Sequence, residues 1–158
     1  MKPLLKRSIS GVIYALIIAV GLSGPQLLFI ALFGFAIVWT LHEFYLMAYG
    51  RRDFVVSRVL FIVSALSFFI LLFLSRSNII ERFWLYVSSL PLIAAFMAPI
   101  WDSAELKEYG KIGYGAAGFL CVGLPLMMTP ILTIRSGQFD GMFLLCVFIV
   151  VSLTDVGA

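Results

Sequence analysis

The sequence predicts an all-α integral membrane protein of about six transmembrane helices, and three observations predict it. Of the 158 residues 63% are hydrophobic and 12% charged, against about 45–50% and about 25% in soluble domains, and the mean hydropathy is +1.11. So little polar surface cannot clothe a water-soluble globule. The apolar residues fall in stretches near the 20 or so residues that cross about 30 Å of hydrocarbon. The Lys and Arg residues gather in alternate loops, as they do when one side of a membrane is cytoplasmic.

Each span follows from where charge and turn residues fall. Ser8 to Leu41 is free of charge, but Gly21-Leu-Ser-Gly-Pro25 interrupts it with turn chemistry, and Pro25 suits the first position of a new helix. The run therefore divides into Ser8–Leu22 and Pro25–Met47. A third span covers Val55–Leu74, a fourth Phe83–Trp101 and a fifth Ile112–Ile134. A sixth starts near Phe139 and is still apolar at Ala158. Lys2, Lys6 and Arg7 before a short apolar stretch resemble a signal peptide, but no Ala-x-Ala site follows, so the first span is read as retained. No repeat, low-complexity tract or long linker breaks the chain, and residues 1–158 read as one polytopic domain.

Orientation follows from the cations. Lys2, Lys6, Arg7, Arg51, Arg52, Arg58, Lys107 and Lys111 fall on one side, and Arg76, Arg82 and Arg135 on the other. This places the N-terminus in the cytoplasm. The net charge of +3 reads as orientation, not as a nucleic-acid surface. The mixed segment Trp101–Lys111 is expected to lie along the cytoplasmic surface. Cys121 and Cys146 sit in apolar runs, where a reduced, buried thiol is expected. Two small-residue stripes, Gly11-Ala15-Ala19-Ser23 and Gly113-Ala117-Cys121, are expected to admit close helix neighbours.

Acids at membrane depth cost about 2.5–3.5 kcal/mol on insertion scales and usually mark function. Glu43 lies eighteen residues after Pro25, about 27 Å down a helix, near the cytoplasmic boundary between Trp39 and Tyr45. His42, beside it, points elsewhere and reads as interfacial. Asp155 is the sharper signal. It lies fifteen residues past Asp140, about 22 Å deep, before a 30 Å span is complete. Ser152 shares its helix face and Thr154 is adjacent. A polar stripe there implies a cavity open to the cytosol, a cation, or both. A structural reading of each acid stands beside this one: Glu43 reaching the headgroups, or Asp155 paired to Arg or backbone. No phosphate-binding glycine loop, His/Cys metal cluster, zincin motif or nucleophile elbow is present.

These residues resemble a known family. Lys6-Arg7-Ser-Ile-Ser-Gly11, Leu41-His-Glu-Phe44 and the ending Ser152-Leu-Thr-Asp-Val-Gly-Ala158 are similar to segments of phosphatidate cytidylyltransferases (CDP-diacylglycerol synthases), in the same order. Ser152 and Thr154 stand where that family often has tryptophan and asparagine. Its C-terminal signature, with a Lys-Arg, a Lys-Asp, a His-Gly-Gly and an Asp-Arg-x-x-Asp, is missing, so the chain is read as the N-terminal part of a longer enzyme and is expected to be inactive alone.

The resemblance implies an enzyme of phospholipid biosynthesis in the cell inner membrane that transfers a cytidylyl group from CTP to phosphatidate, giving CDP-diacylglycerol and pyrophosphate. It implies Mg²⁺ as cofactor, with Asp155 as catalytic acid and metal ligand. Glu43 and Ser152 would support the site, and Arg7 would draw anionic headgroups. Implied partners are CTP, phosphatidate and membrane lipids, with pairing into a homodimer left open and no nucleic acid. Two other readings compete. A transporter component predicts acids at mid-bilayer and broken spans in inverted repeats, and neither is legible in the sequence. A non-catalytic membrane scaffold leaves Asp155 without a reason.

Overall fold

The computed structural model describes residues 3–50, 54–101 and 112–157. The side chains of residues 3–10, 12, 14, 99–101, 112, 152, 153 and 155–157 lie outside that description. Six helical rods follow one another in the expected order. They are α1 (Pro3–Ser23), α2 (Gln26–Tyr49), α3 (Val55–Arg76), a 3₁₀ turn (Arg82–Ser88) running into α4 (Ser89–Trp101), a segmented fifth rod, and α8 (Met142–Gly157). Among the described residues, Gln26–Tyr49, Val55–Arg76 and Gly113–Thr133 are each long and apolar enough to cross a membrane, and Arg82–Ala98 and Met142–Val151 are shorter apolar helices. The all-α membrane architecture stands.

The turn at Pro25 lies where expected, one step differently. Pro25 is the extended N-cap of α2 (φ −64°, ψ 151°), not its first helical residue, and its carbonyl accepts from the Leu28 amide at 2.9 Å. Proline gives up nothing there, because the first amides of a helix have no partner within it.

The fourth and fifth rods are less regular than a charge-free run suggests, and prolines are the cause. Pro91 cannot donate back to the preceding turn, and the chain changes from 3₁₀ to α-helix close to it. The fifth rod comprises α5 (Ile112–Ala117), a π-helical turn (Gly118–Gly123), α6 (Leu124–Met127) and α7 (Thr129–Thr133), with Pro125 and Pro130 at the starts of the last two. The span expected over 112–134 is present as Gly113–Thr133 and is segmented by these turns.

A hairpin, absent from the sequence reading, joins the fifth rod to α8. Ile134 pairs with Phe139 and Arg135 with Gln138. Ser136 and Gly137 turn the chain at φ 52° and 83°, the pair of positive φ values of a type I′ turn.

The core is aromatic. Phe29, Phe33, Tyr45, Phe61, Phe69 and Phe73 are buried where α2 meets α3, and Phe29 lies 4.7 Å from Phe33 and 5.9 Å from Phe69 between ring centroids. Large apolar side chains such as Leu27, Phe35 and Met47 cover the outside, as a hydrocarbon solvent requires.

Both small-residue stripes prove misassigned. Gly11 and Ala15 are exposed, and a side chain at Gly11 would meet nothing within 4 Å. α1 instead buries Ile18, Gly21 and Leu22. In the fifth rod Gly113, Ala117 and Cys121 face outward, while Gly115 and Gly118 make the close approach. The four-residue repeat was real in each case but marked the outer face, the inner one being supplied by Ile18, Gly21 and Leu22 in α1 and by Gly115 and Gly118 in the fifth rod. Cys121 and Cys146 are likewise free and exposed rather than buried.

Candidate active site

The candidate site is built from where the helices begin and end. Backbone of Gly141, just before α8, lies against the Leu22 carbonyl near the end of α1, so closely that a Cβ at Gly141 would collide with it. α2 starts at Gln26, four residues after Leu22. α2 and α8 therefore leave the same end of the bundle and run the same way. Their register is set by Phe33 against Phe148, 6.5 Å between centroids, and by Phe29 against Phe139, at 5.2 Å.

From that register the positions of the acids follow. Glu43 is ten residues beyond Phe33 and Asp155 seven beyond Phe148, a difference of three residues, or about 4.5 Å in height. Both lie toward the end of the bundle away from the hairpin. Ser152 is one turn before Asp155 on α8. Arg7 is sixteen residues before Ser23, about 24 Å from the hairpin end, so its backbone belongs to the same end as Glu43. The backbone thus collects all four sequence-chosen residues at one end. Of their side chains only that of Glu43 is described, and it is exposed, as is His42. Among the described residues no group of three or more His, Cys, Asp or Glu is arranged to hold a metal. The Asp155 side chain lies outside the described residues.

The wall beside this end is polar in a way the sequence reading missed. Tyr45, read as an interfacial aromatic, is fully buried and donates from its hydroxyl to the Gly115 carbonyl at 3.0 Å. Only a glycine fits there, because a Cβ would press into the Phe61 ring and the Tyr49 hydroxyl. Gly118 likewise receives the rings of Phe44 and Tyr45, which would lie 2.6–2.7 Å from a Cβ. Arg58, read as a loop cation, is 8% exposed and donates from Nη1 to the Gly50 carbonyl at 2.9 Å. Trp39, by contrast, faces outward, stacked on Phe35 at 5.7 Å. Arg51 and Arg52 lie outside the described residues, as does nearly all of the Trp101–Lys111 segment. The signal for the wall was present as Tyr45-x-x-x-Tyr49, one helical turn apart, facing Gly115-x-x-Gly118.

Substituting Tyr45 with Phe removes the donor and leaves the Gly115 carbonyl buried without it. A hydrogen bond of this kind contributes about 0.5–1.5 kcal/mol. The expected result is a lower thermal midpoint in detergent with unchanged helix content, read by circular dichroism.

The interrupted fifth rod is the broken span that a transporter would use, but its sequence from 112 to 133 contains no acid. Its π turn is packed against Leu41, Phe44 and Tyr45 rather than lining an ion path.

The sequence model of the family described as the cytidylyltransferase family matches residues 5–158. No curated protein and no solved structure gives a significant match. With nearly the whole chain matched, in a helical membrane architecture, the chain belongs to the cytidylyltransferase family, whose chemistry is the transfer of a nucleotidyl group from CTP.

Proposed function

We propose that this chain contributes part of the active site of a phosphatidate cytidylyltransferase, with the carboxylate end of the bundle facing the cytoplasm. The observation behind the proposal is the parallel course of α2 and α8. It brings Glu43 and Asp155 to within about one helical turn in height at the end where Arg7 also lies. Phosphatidate is confined to the bilayer and CTP to water, so the two reactants meet only at such a boundary.

The reaction moves the CMP unit. An oxygen of the phosphatidate phosphate forms a bond to the α-phosphorus of CTP while the bond from that phosphorus to the β-phosphate bridging oxygen breaks. The products are CDP-diacylglycerol and pyrophosphate, which takes the bonding electron pair. The catalytic problem is electrostatic, since two anions approach. Arg7 would draw the lipid phosphate toward this end, a polybasic attraction worth about 1 kcal/mol per cation near an anionic surface. Asp155 would hold Mg²⁺, with Glu43 and Ser152 supporting. Exposed Glu43 and one further acid fit this hard ion, which takes one or two protein carboxylates and completes its shell with water and substrate phosphates. Bound there, the ion supplies charge neutralisation for the transferring phosphoryl group.

The test is a transfer assay with Mg²⁺, CTP and vesicles containing phosphatidate. Residues 1–158 alone are expected to give no product. Residues 1–158 joined to the C-terminal part of another family member, including its Asp-Arg-x-x-Asp run, are expected to release one pyrophosphate per CDP-diacylglycerol formed. Turnover by residues 1–158 alone contradicts the site map. Transfer by the joined protein to a lipid alcohol or a soluble phosphate in preference to phosphatidate contradicts the substrate.

A further inference from the structure

At the start of the fourth rod, on the side of the bundle away from Glu43, the short 3₁₀ turn Arg82–Ser88 presents an unusual surface. Phe83 is 69% exposed, Trp84 52% and Tyr86 72%, so three large aromatic side chains within four residues are left largely uncovered. Phe83 and Tyr86 stand edge to face at 6.0 Å between centroids, as i and i+3 neighbours in 3₁₀ geometry do. The turn is not loosely hung. Ser64 on α3 donates to the Ser88 carbonyl at 3.0 Å, and the Ser88 side chain donates to the Leu85 carbonyl at 2.6 Å. Ser88 is buried while the aromatics point away, so the tether holds them outward.

Three features indicate what covers them. The turn lies between the end of α3 at Arg76, a helix long and apolar enough to span, and the apolar helix that continues through Ala98. It therefore begins where two spans approach a membrane boundary and descends beside α3, whose outer face is apolar at Val59, Val63 and Ile70, to the level of Ser64, twelve residues or about 18 Å before Arg76. Trp84 and Tyr86 each join an apolar ring to a hydrogen-bond donor, so neither pure hydrocarbon nor bulk water satisfies the pair. Exposed Glu81 and Arg82 flank the rings on the side leading back to Asn78 and Ile79. Apolar rings bordered by charge match the region between acyl chains and headgroups, where Trp and Tyr concentrate in membrane proteins.

We infer that the start of the Arg82–Ser88 turn is a membrane-interface anchor, with Phe83 and Trp84 inserted at the glycerol and carbonyl level of the leaflet on the side away from Glu43 and Tyr86 following deeper along the same rod. The anchor fixes how deep α3 and α4 sit, and through the Phe29–Phe73 and Arg76–Ile134 contacts (6.0 Å between centroids and 3.3 Å) it fixes the hairpin end of the bundle as well. The inference is independent of the cytidylyl-transfer reading.

The test uses the full 158-residue chain in phosphatidylcholine vesicles with Trp39→Phe and Trp101→Phe, leaving Trp84 as the single tryptophan. Its fluorescence is quenched in turn by lipids brominated near the carbonyl, by lipids brominated near the chain terminus, and by aqueous iodide. The expected result is quenching by shallow bromines at least about twofold stronger than by deep ones, with little effect of iodide, as an interfacial ring requires. Stronger quenching by deep bromines overturns the inference, and so does dominant quenching by iodide. Absence of quenching by all three means that protein, such as a second copy of the chain, covers the patch, and also overturns it. A second chain, with all three tryptophans changed to Phe and Phe83→Trp added, must give the same ordering. Disagreement between the two reporters counts against the anchor.

Discussion

Replacing Asp155 with Asn in the joined protein is expected to lower cytidylyl transfer by about 10³-fold, with helix content unchanged. Asparagine keeps the shape and removes the charge, so a metal held there is lost while packing is kept. Charge stabilisation by a bound ion is worth several kcal/mol, and about 1.36 kcal/mol is a tenfold change in rate. Glu43→Gln, at the more exposed supporting position, is expected to cost markedly less. The measurement is the rate of CDP-diacylglycerol formation at saturating CTP, repeated across Mg²⁺ concentrations. A variant at Asp155 that turns over at close to the parent rate removes the acid from the site.

Gly141→Ala is expected to destabilise the bundle more than any other single methyl group added to it. The added Cβ would meet the Leu22 carbonyl, which is backbone and cannot swing aside as a side chain could. α1 and α8 would separate at the point that sets the start of α8. Overpacking of this kind costs about 1–3 kcal/mol, with the upper end expected because both elements must shift. Gly113→Ala provides the contrast. Its Cβ meets nothing within 4 Å, so the helix propensity of alanine should leave stability equal or raised by up to about 1 kcal/mol. Thermal unfolding of both variants in one detergent checks the pair. Equal behaviour would mean that the α1–α8 contact is not what positions α8.

The helices and their order were legible in the sequence because lipid imposes a simple rule: long apolar stretches must form helices, and charge must lie at their ends. The breaks within them were less legible. Pro91, Pro125 and Pro130 stood in plain view, but a membrane helix tolerates proline where neighbours satisfy the freed carbonyls, so their presence alone did not separate a kink from an interruption. The Ile134–Phe139 hairpin was hidden because strands of two residues are too short to show alternation; only Ser136-Gly137 betrayed it. Faces were the hardest to read. With apolar residues on every side of a lipid-bathed helix, periodicity of size no longer separates inside from outside. For this reason Gly113 was preferred to Gly115, and Cys121 and Cys146 were placed inward. The site was legible in part. Charge position alone picked out Glu43 and Asp155, and the register of α2 against α8 brings them to one end. The wall of Tyr45, Tyr49 and Arg58 was not, since its polar groups are satisfied by backbone groups of Gly115 and Gly50 that no sequence displays.

Cytidylyl transfer at this end of the bundle requires Glu43 and Asp155 to open to water on the cytoplasmic side. Accessibility of single cysteines tests this directly, in a chain where Cys121 and Cys146 are changed to Ser. Glu43→Cys and Asp155→Cys should react with a membrane-impermeant thiol reagent applied from the cytoplasm, and Ser136→Cys, in the hairpin, only from the opposite side. Labelling of positions 43 and 155 from different sides, or reaction at position 155 with lipid-soluble reagents alone, would contradict it.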